Sequence, residues 1–117
     1  RVDHEHAVRG HGRTLGLESV ASDGDPETAD AVKLYAPETF FARRERYDLI
    51  VNVDSLTEMG WETASAYGKA IRSRAARFLS INHESNEFTV RRLPGFAPET
   101  RYPYWMRRGY VEELYLL

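Results

Sequence analysis

The alternation of apolar and polar positions is clearest between residues 47 and 87. Residues 47–54 (YDLIVNVD) form an apolar run with a polar end, which predicts a strand buried on both faces of a parallel sheet. Residues 56 to about 75 are mostly helix-compatible and predict a helix, and residues 77–82 (RFLSIN) predict a second strand. Three- and four-residue spacing predicts one apolar helix face, made of Leu56, Met59, Thr63, Tyr67, Ala70 and Ile71.

Strand, helix and strand with short connections predict a βαβ unit with a right-handed crossover. Parallel strands of one unit end at the same edge of the sheet, where open α/β sheets bind their ligands. Asp54, Ser55 and Glu58 follow the first strand there. Residues 82–84 (Asn-His-Glu) follow the second strand. We therefore expect the two polar groups to face one crevice.

Ser55 and Glu58 also fit a helix capping box. In that motif the serine side chain accepts from the backbone N–H of Glu58, and the glutamate side chain reaches back to the N–H of Ser55. The motif accounts for Glu58 without any ligand, so capping and ligand binding both remain open for it.

The first part of the chain carries weaker signals. Residues 1–25 are polar and glycine-rich, and predict a weakly ordered lead-in in which His4, His6 and His11 are solvated rather than metal ligands. Asp25 before a proline predicts the start of a short helix. Residues 31–35 predict a short strand, and 36–46 a loop or a broken helix.

The last part of the chain predicts strands and one aromatic segment. Residues 88–93 predict a short strand, and 110–117 resemble a strand that is cut short, which favours a fragment of a longer protein. Residues 101–110 are dense in aromatic and arginine side chains. They favour an amphipathic segment that covers the sheet edge with its aromatics inward. The alternative is a platform that stacks a base or a sugar ring.

Composition narrows the class of protein. A chain of 117 residues suffices for one small domain, and the lack of cysteine excludes disulfides and thiolate metal sites. The net charge of −2 is well mixed and gives no signal for nucleic acid or membrane. No apolar run approaches the ~20 residues that span a bilayer, and no signal peptide is visible. We expect a cytoplasmic protein; its oligomeric state is open.

Residues 48–59 (DLIVNVDSLTEM) resemble the fourth-strand motif of class I S-adenosylmethionine-dependent methyltransferases. The likeness is closest to the bacterial sugar O-methyltransferase family, in which an Asn, a Ser and a Glu-Met pair follow one another at this spacing. Residues 78–84 are similar to that family's fifth strand. Residues 104–105 and 109–115 look like the family's last part.

The resemblance implies a partial Rossmann-like α/β domain, with parallel strands around one βαβ unit and antiparallel terminal strands. It covers residues 32–117 and implies the carboxyl-terminal half of a catalytic domain, because the glycine-rich cofactor loop of the first half is not recognisable. The implied cofactor is S-adenosylmethionine, and the implied substrate is a sugar or glycoside. Cofactor-binding residues carried over by position are Asn52, Asp54, Ser55 and Glu58. A fragment of this kind should bind cofactor poorly.

A sugar hydroxyl is a weak nucleophile, so methyl transfer to it benefits from a general base or a metal. His83 is the first candidate base and Glu84 the second, since histidine titrates near neutral pH. Asp54 with Glu84 can instead hold Mg²⁺ through oxygen ligands. The alternative from another class is a non-catalytic α/β binding or interaction module. A hydrolase using His83 and Glu84 is less favoured, because no Gly-x-Ser-x-Gly motif is present.

Overall fold

The structure, a computed structural model, describes residues 9–10, 13–14, 17–20 and 31–117. The chain divides into two compact units, Arg1–Arg44 and Glu45–Leu117. The sequence predicted a single partial domain with a lead-in to residue 25; the division falls between Arg44 and Glu45. None of the helices in the described ranges is long and apolar enough to cross a membrane.

The first unit contains two small sheets among its described residues. β1 (Arg9–Gly10) pairs antiparallel with β2 (Arg13–Thr14), and β3 (Leu17–Val20) pairs parallel with β4 (Val32–Tyr35). Helix α1 (Pro37–Ala42) follows, with its proline in the first turn, where the missing N–H costs nothing.

These elements test the predictions for the first part of the chain. The short strand at 31–35 is confirmed as β4, and α1 supplies the helix within 36–46. Strands β1 to β3 were not predicted, because segments of two to four residues are too short to show a readable alternation. The helix start at Asp25 and the histidines at positions 4, 6 and 11 lie outside the described residues.

The second unit holds one sheet with the strand order β5-β6-β8-β7. Its elements in chain order are β5 (Tyr47–Val53), a 3₁₀ turn (Leu56–Glu58), α2 (Trp61–Arg74), β6 (Ala75–His83), a second 3₁₀ turn (Val90–Arg92), β7 (Thr100–Pro103) and β8 (Tyr110–Leu116). β5 and β6 are parallel, with Ile50 opposite Phe78. β8 runs antiparallel to both of its neighbours, β6 and β7.

The predicted βαβ unit is confirmed, and the unit is a small α/β domain with a mixed sheet. The helix begins at Trp61 rather than at Leu56, because residues 56–58 form a separate 3₁₀ turn and Gly60 precedes the helix. The predicted apolar face is therefore shifted: Ala64, Gly68 and Ile71 are buried, whereas Thr63 is exposed.

The core lies on the side of the sheet that α2 covers. Phe78 and Tyr115 are fully buried on adjacent strands, with ring centroids 5.8 Å apart. Phe96 meets both rings edge-on, at 5.8 Å and 5.3 Å. Gly68 lets α2 approach this cluster, because a Cβ there would lie 3.2 Å from the Phe96 ring and 3.3 Å from Leu93.

The predicted strand at 88–93 is wrong. Residues 90–92 form a 3₁₀ turn, and Phe88, Val90 and Leu93 point into the core beside α2. Apolar spacings of two and three residues fit a tight turn as well as a strand. The Pro94-Gly95 pair that follows would in any case limit an extended segment.

The prediction that β5 is buried on both faces is also wrong. Leu49, Val51 and Val53 are 46%, 49% and 51% exposed, while Ile50 packs against the core cluster. Within this unit α2 covers one face of the sheet. β5 is an edge strand of that sheet. A continuous apolar run cannot reveal from sequence alone that one of its faces lacks a cover.

The aromatic segment at 101–110 does not cover the sheet edge as predicted, because residues 101–103 belong to the edge strand β7 and Tyr110 begins the inner strand β8. Its aromatics are not all inward either. Tyr110 is buried, but Tyr102 and Trp105 are 59% and 87% exposed.

Truncating Phe78 tests the one-sided core. We expect Phe78→Ala to lower the free energy of unfolding by about 3–5 kcal/mol, because it removes a fully buried ring. Leu116→Ala, in the neighbouring strand and 57% exposed, should cost less than about 1 kcal/mol. Urea unfolding followed by circular dichroism measures both. Equal losses in the two variants would contradict this location of the core.

Candidate functional site

Asp54 stands at the carboxyl end of β5 in an unusual backbone conformation. Its φ is +56°, in the left-handed region that Asp and Asn tolerate better than most residues. Its N–H still donates to the carbonyl of Ile81 at 2.9 Å, so the residue closes the parallel ladder. The carboxylate accepts from the Tyr110 hydroxyl at 2.6 Å and from the Arg107 guanidinium at 2.7 Å.

These contacts set the charges of the Asp54 group. The hydrogen bonds from Tyr110 and Arg107 lower the pKa of Asp54. The hydrogen bond to Asp54 raises the pKa of the Tyr110 phenol. The Arg107 guanidinium lies 4.1 Å from the centre of the Tyr110 ring, a cation–π contact. At neutral pH the group therefore consists of a carboxylate, a neutral phenol and a guanidinium.

His83 is the last residue of β6 and pairs in register with Tyr110 of β8. The two rings meet edge to face, with centroids 5.0 Å apart. The ring atom Nδ1 accepts from the backbone N–H of Ser85 at 3.1 Å and lies 2.7 Å from the Ser85 hydroxyl. Because a backbone N–H can only donate, Nδ1 is the acceptor, and the neutral ring carries its proton on Nε2.

A second polar group joins the ends of β5 and β6. The Asn52 side chain donates to the Ser55 hydroxyl at 2.6 Å and accepts from the Leu56 N–H at 3.2 Å and from Asn82 at 3.0 Å. Asn82 also donates to Ser80 at 2.8 Å. One amide side chain thus organises the turn after β5 and ties it to β6.

The predicted capping box is wrong, and this amide explains why. Ser55 makes no side-chain cap, and its hydroxyl accepts from Asn52 instead. The Glu58 N–H donates to the backbone carbonyl of Ser55 at 3.0 Å. The side chain of Asn52, four residues upstream, takes the capping role for Leu56.

Glu84 is held by arginines. Arg91 contacts both of its oxygens, each at 3.0 Å, and Arg101 lies at 2.8 Å. Arg91 also bonds Glu113, a buried carboxylate that accepts from the Tyr115 hydroxyl at 3.1 Å. The hydrogen bonds from Arg91 lower the pKa of Glu84, so this side chain is an ion-paired carboxylate rather than a base poised near neutral pH.

The predicted residues meet at one edge of the sheet but do not form one cluster. Asn52 and Asn82 alternate onto the face that α2 covers, whereas His83 pairs with Tyr110 on the other face. Asp54 joins the His83 side through Tyr110. The expectation of a single crevice is therefore corrected to two polar groups on opposite faces.

In the structure, arginines bind both carboxylates of the predicted Mg²⁺ pair. Arg107 holds the carboxylate of Asp54, whereas Arg91 and Arg101 hold that of Glu84. Across 31–117 and the shorter described segments, no three or more His, Asp or Glu side chains form a metal-binding group.

Several residues of the site were missed from sequence. Arg107 and Tyr110 reach Asp54 across more than fifty positions, and only the register of β8 brings them there. Glu113 carried a readable signal, because a charged residue between Val111 and Tyr115 at two-residue spacing lies on their buried face. Its partners Arg91 and Arg101 had no such signal.

A comparison with protein-family models, curated proteins and solved structures finds no match to this chain. The geometry of these groups and the resemblance of residues 48–59 are therefore the two grounds for assigning a function.

Protonation of the Glu84 carboxylate should lower the free energy of unfolding in acid. Its pKa is lower in the folded chain than the ordinary value of 4.5, so its ion pairs stabilise the fold above about pH 4.5 and are lost as pH falls through the folded value. We expect Glu84→Gln to be less stable at pH 7 and to lose less stability between pH 5 and 3. Urea unfolding at these pH values measures it. An unchanged acid slope in the variant would contradict the assignment.

We expect that position 109 accepts only glycine without strain, because the backbone there lies against the His83 ring. Its φ is +83°, and a Cβ there would lie 2.6 Å from His83 Nε2. We expect Gly109→Ala to cost about 1–3 kcal/mol and to move the imidazole. The matched control is Gly60→Ala, where φ is −59° and nothing lies within 4 Å of the added Cβ. Urea unfolding and the imidazole NMR signals report both effects; an unperturbed His83 signal would refute the contact.

Proposed function

We propose that this chain is the carboxyl-terminal half of an S-adenosylmethionine-dependent methyltransferase that acts on a sugar hydroxyl. The observation that carries the proposal is the order β5-β6-β8-β7. In it, a parallel βαβ unit is followed by an antiparallel last strand inserted beside β6. The parallel unit and the antiparallel strand β8 agree with what the resemblance implies, while β7 runs in the same direction as β5 and β6. The motif at 52–59 lies where the parallel strands end.

The residues after β5 fit one side of the cofactor. The Glu58 side chain is exposed at this edge, and the Ser55 hydroxyl accepts from Asn52 while keeping its own hydrogen to donate. Asn52 acts as a positioning residue, because its amide is used in holding Ser55 and the turn. When bound, S-adenosylmethionine would supply an electrophilic methyl group.

On the acceptor side, His83 offers a lone pair at Nδ1. The Ser85 hydroxyl lies 2.7 Å from that atom and marks a place where an acceptor hydroxyl would fit. In our proposal Ser85 withdraws both its hydroxyl and its backbone N–H from Nδ1, and the sugar hydroxyl donates its proton to that atom. Tyr110 positions the imidazole through its edge-to-face contact.

The carboxylates take supporting roles in this proposal. Glu84, the second base expected from sequence, becomes a positioning residue that fixes the loop after β6 through Arg91 and Arg101. Asp54 holds Arg107 and Tyr110 in place beside His83. Since the pKa of each carboxylate is lowered, neither accepts a proton readily at neutral pH.

The alternative is a non-catalytic α/β binding or interaction module. The observation in its favour is that Asp54, Glu84 and His83 at the sheet edge already have partners. Arginines hold both carboxylates, and Ser85 occupies Nδ1 of His83.

The full-length gene product discriminates between the two. Incubated with S-adenosylmethionine carrying a labelled methyl group and a panel of simple glycosides, it should form an O-methylated sugar. Calorimetry should show cofactor binding to the full-length protein and weak binding to residues 1–117. Absence of cofactor binding to the full-length protein would contradict the methyltransferase and favour the hypothesis of a binding module.

Substitutions of His83 and Ser85 should change different kinetic constants of the full-length enzyme. We expect His83→Ala to lower kcat by ~10²–10⁴-fold with little change in cofactor affinity, as for loss of a general base. Ser85→Ala should lower the KM for the acceptor only modestly, because it removes the competing hydroxyl while the backbone N–H of residue 85 still donates to Nδ1. Near-normal turnover in His83→Ala would remove this residue from the mechanism.

Glu84→Gln serves as the comparison variant for the same assay. As a positioning residue, Glu84 should give a partial loss that a chelator does not change. A complete loss, together with loss of any Mg²⁺ dependence, would restore the metal hypothesis for Asp54 and Glu84.

A further inference from the structure

The turn between β7 and β8, residues 104–109, presents a large aromatic side chain to solvent. Trp105 is 87% exposed and its neighbour Met106 is 61% exposed. Tyr102, at the end of the adjoining strand, is also exposed. Exposed aromatic surface of this kind costs solubility and often marks an interaction site.

The turn is anchored. The Tyr104 N–H donates to the Tyr110 carbonyl at 2.9 Å, and the Arg107 N–H donates to the Tyr104 carbonyl at 3.3 Å. The Arg107 side chain fixes the same turn to Asp54 at 2.7 Å. Trp105 is therefore held outward by a defined backbone, at the end of the sheet where His83 lies.

The chemistry around Trp105 matches a carbohydrate ring. A pyranose has a face of C–H groups that packs on a flat indole, and hydroxyls around its edge that need polar partners. The indole supplies the apolar face. Tyr104, next to Trp105 in the chain, bonds Tyr110, and Tyr110 pairs with His83, which contacts the Ser85 hydroxyl. Ligand sites commonly combine an apolar platform with a few convergent polar groups.

Charge favours a neutral ligand over a nucleotide. Arg107 is paired with Asp54, and Arg91 and Arg101 are paired with Glu84 and Glu113. Single-stranded nucleic acid binds to aromatics that are set in a positively charged groove. Here those three arginines are neutralised, and among the described residues Arg108 is the one cation of the turn without a carboxylate partner, which is less than a positively charged groove.

We infer that Trp105 is the platform on which the pyranose ring of the acceptor stacks, so that one hydroxyl reaches His83. This inference rests on the proposed sugar methyl transfer and adds the residue that would recognise the ring. Its test is separable, because binding of a glycoside needs no methyl donor.

Tryptophan fluorescence of the 117-residue chain tests the stacking directly. The probes are methyl α-D-mannopyranoside, methyl β-D-galactopyranoside and methyl α-L-rhamnopyranoside, with adenosine as a control for indiscriminate stacking. We expect at least one glycoside to shift the emission to shorter wavelength and to protect the indole from acrylamide. Trp61→Phe, which retains Trp105, should keep the response, and Trp105→Phe should lose it.

The outcomes separate the two proposals. No response to any glycoside, a response to adenosine alone, or a response that survives in Trp105→Phe would overturn the platform. In the full-length enzyme, Trp105→Ala should raise the acceptor KM roughly tenfold with kcat and cofactor affinity little changed. Methyl transfer with an unchanged acceptor KM in that variant would contradict the stacking role of Trp105 and leave the proposed enzyme activity intact. A glycoside response at Trp105 without any methyl transfer would contradict the proposed enzyme activity and support the stacking role of Trp105.

Discussion

The hydrogen bond between the side chains of Asn52 and Asn82 ties together the two halves of the site edge. It crosses from β5 to β6 at the point where the parallel ladder ends, and the same Asn52 amide shapes the turn that leads into α2. Partly buried amides of this kind are costly unless satisfied, so their partners fix the geometry closely. The positions of Asp54, Ser55 and Glu58 all follow from where this turn leaves the strand.

The side chains at this edge are held by two different kinds of interaction. Around Glu84 and Glu113, arginines neutralise carboxylates and hold the loop after β6 against the sheet. His83 is instead positioned by the Tyr110 ring and by the hydroxyl and backbone N–H of Ser85, and the proposed base role requires an acceptor hydroxyl to replace both of these at Nδ1. A base has to exchange its partner during a reaction, and an exposed serine is easier to displace than an arginine that is bidentate on a carboxylate.

The sequence predicts local features of this unit better than distant ones. The strands of the βαβ unit were readable because apolar runs of the right length flank a helix-compatible stretch. The antiparallel direction of β8 agrees with what the family resemblance implies for a terminal strand. The helix start was not readable, because Ser55 offers a plausible cap and only the Asn52 side chain outcompetes it. The Arg107–Asp54 pair and the exposed face of Val51 depend on strand register and on what covers the sheet, and neither is a property of a short window.

The place of β8 in the sheet has a consequence for synthesis and folding. Although β8 comes last in this chain, it lies between β6 and β7 and is the strand that β7 pairs with. On the ribosome, β5, α2 and β6 can assemble first, because their contacts are local. β7 must wait for residues 110–116 to emerge, and until then Phe78 lacks the Tyr115 ring that covers it. The slowest part of assembly should therefore be the docking of this last hairpin, which also delivers Arg107 and Tyr110 to Asp54.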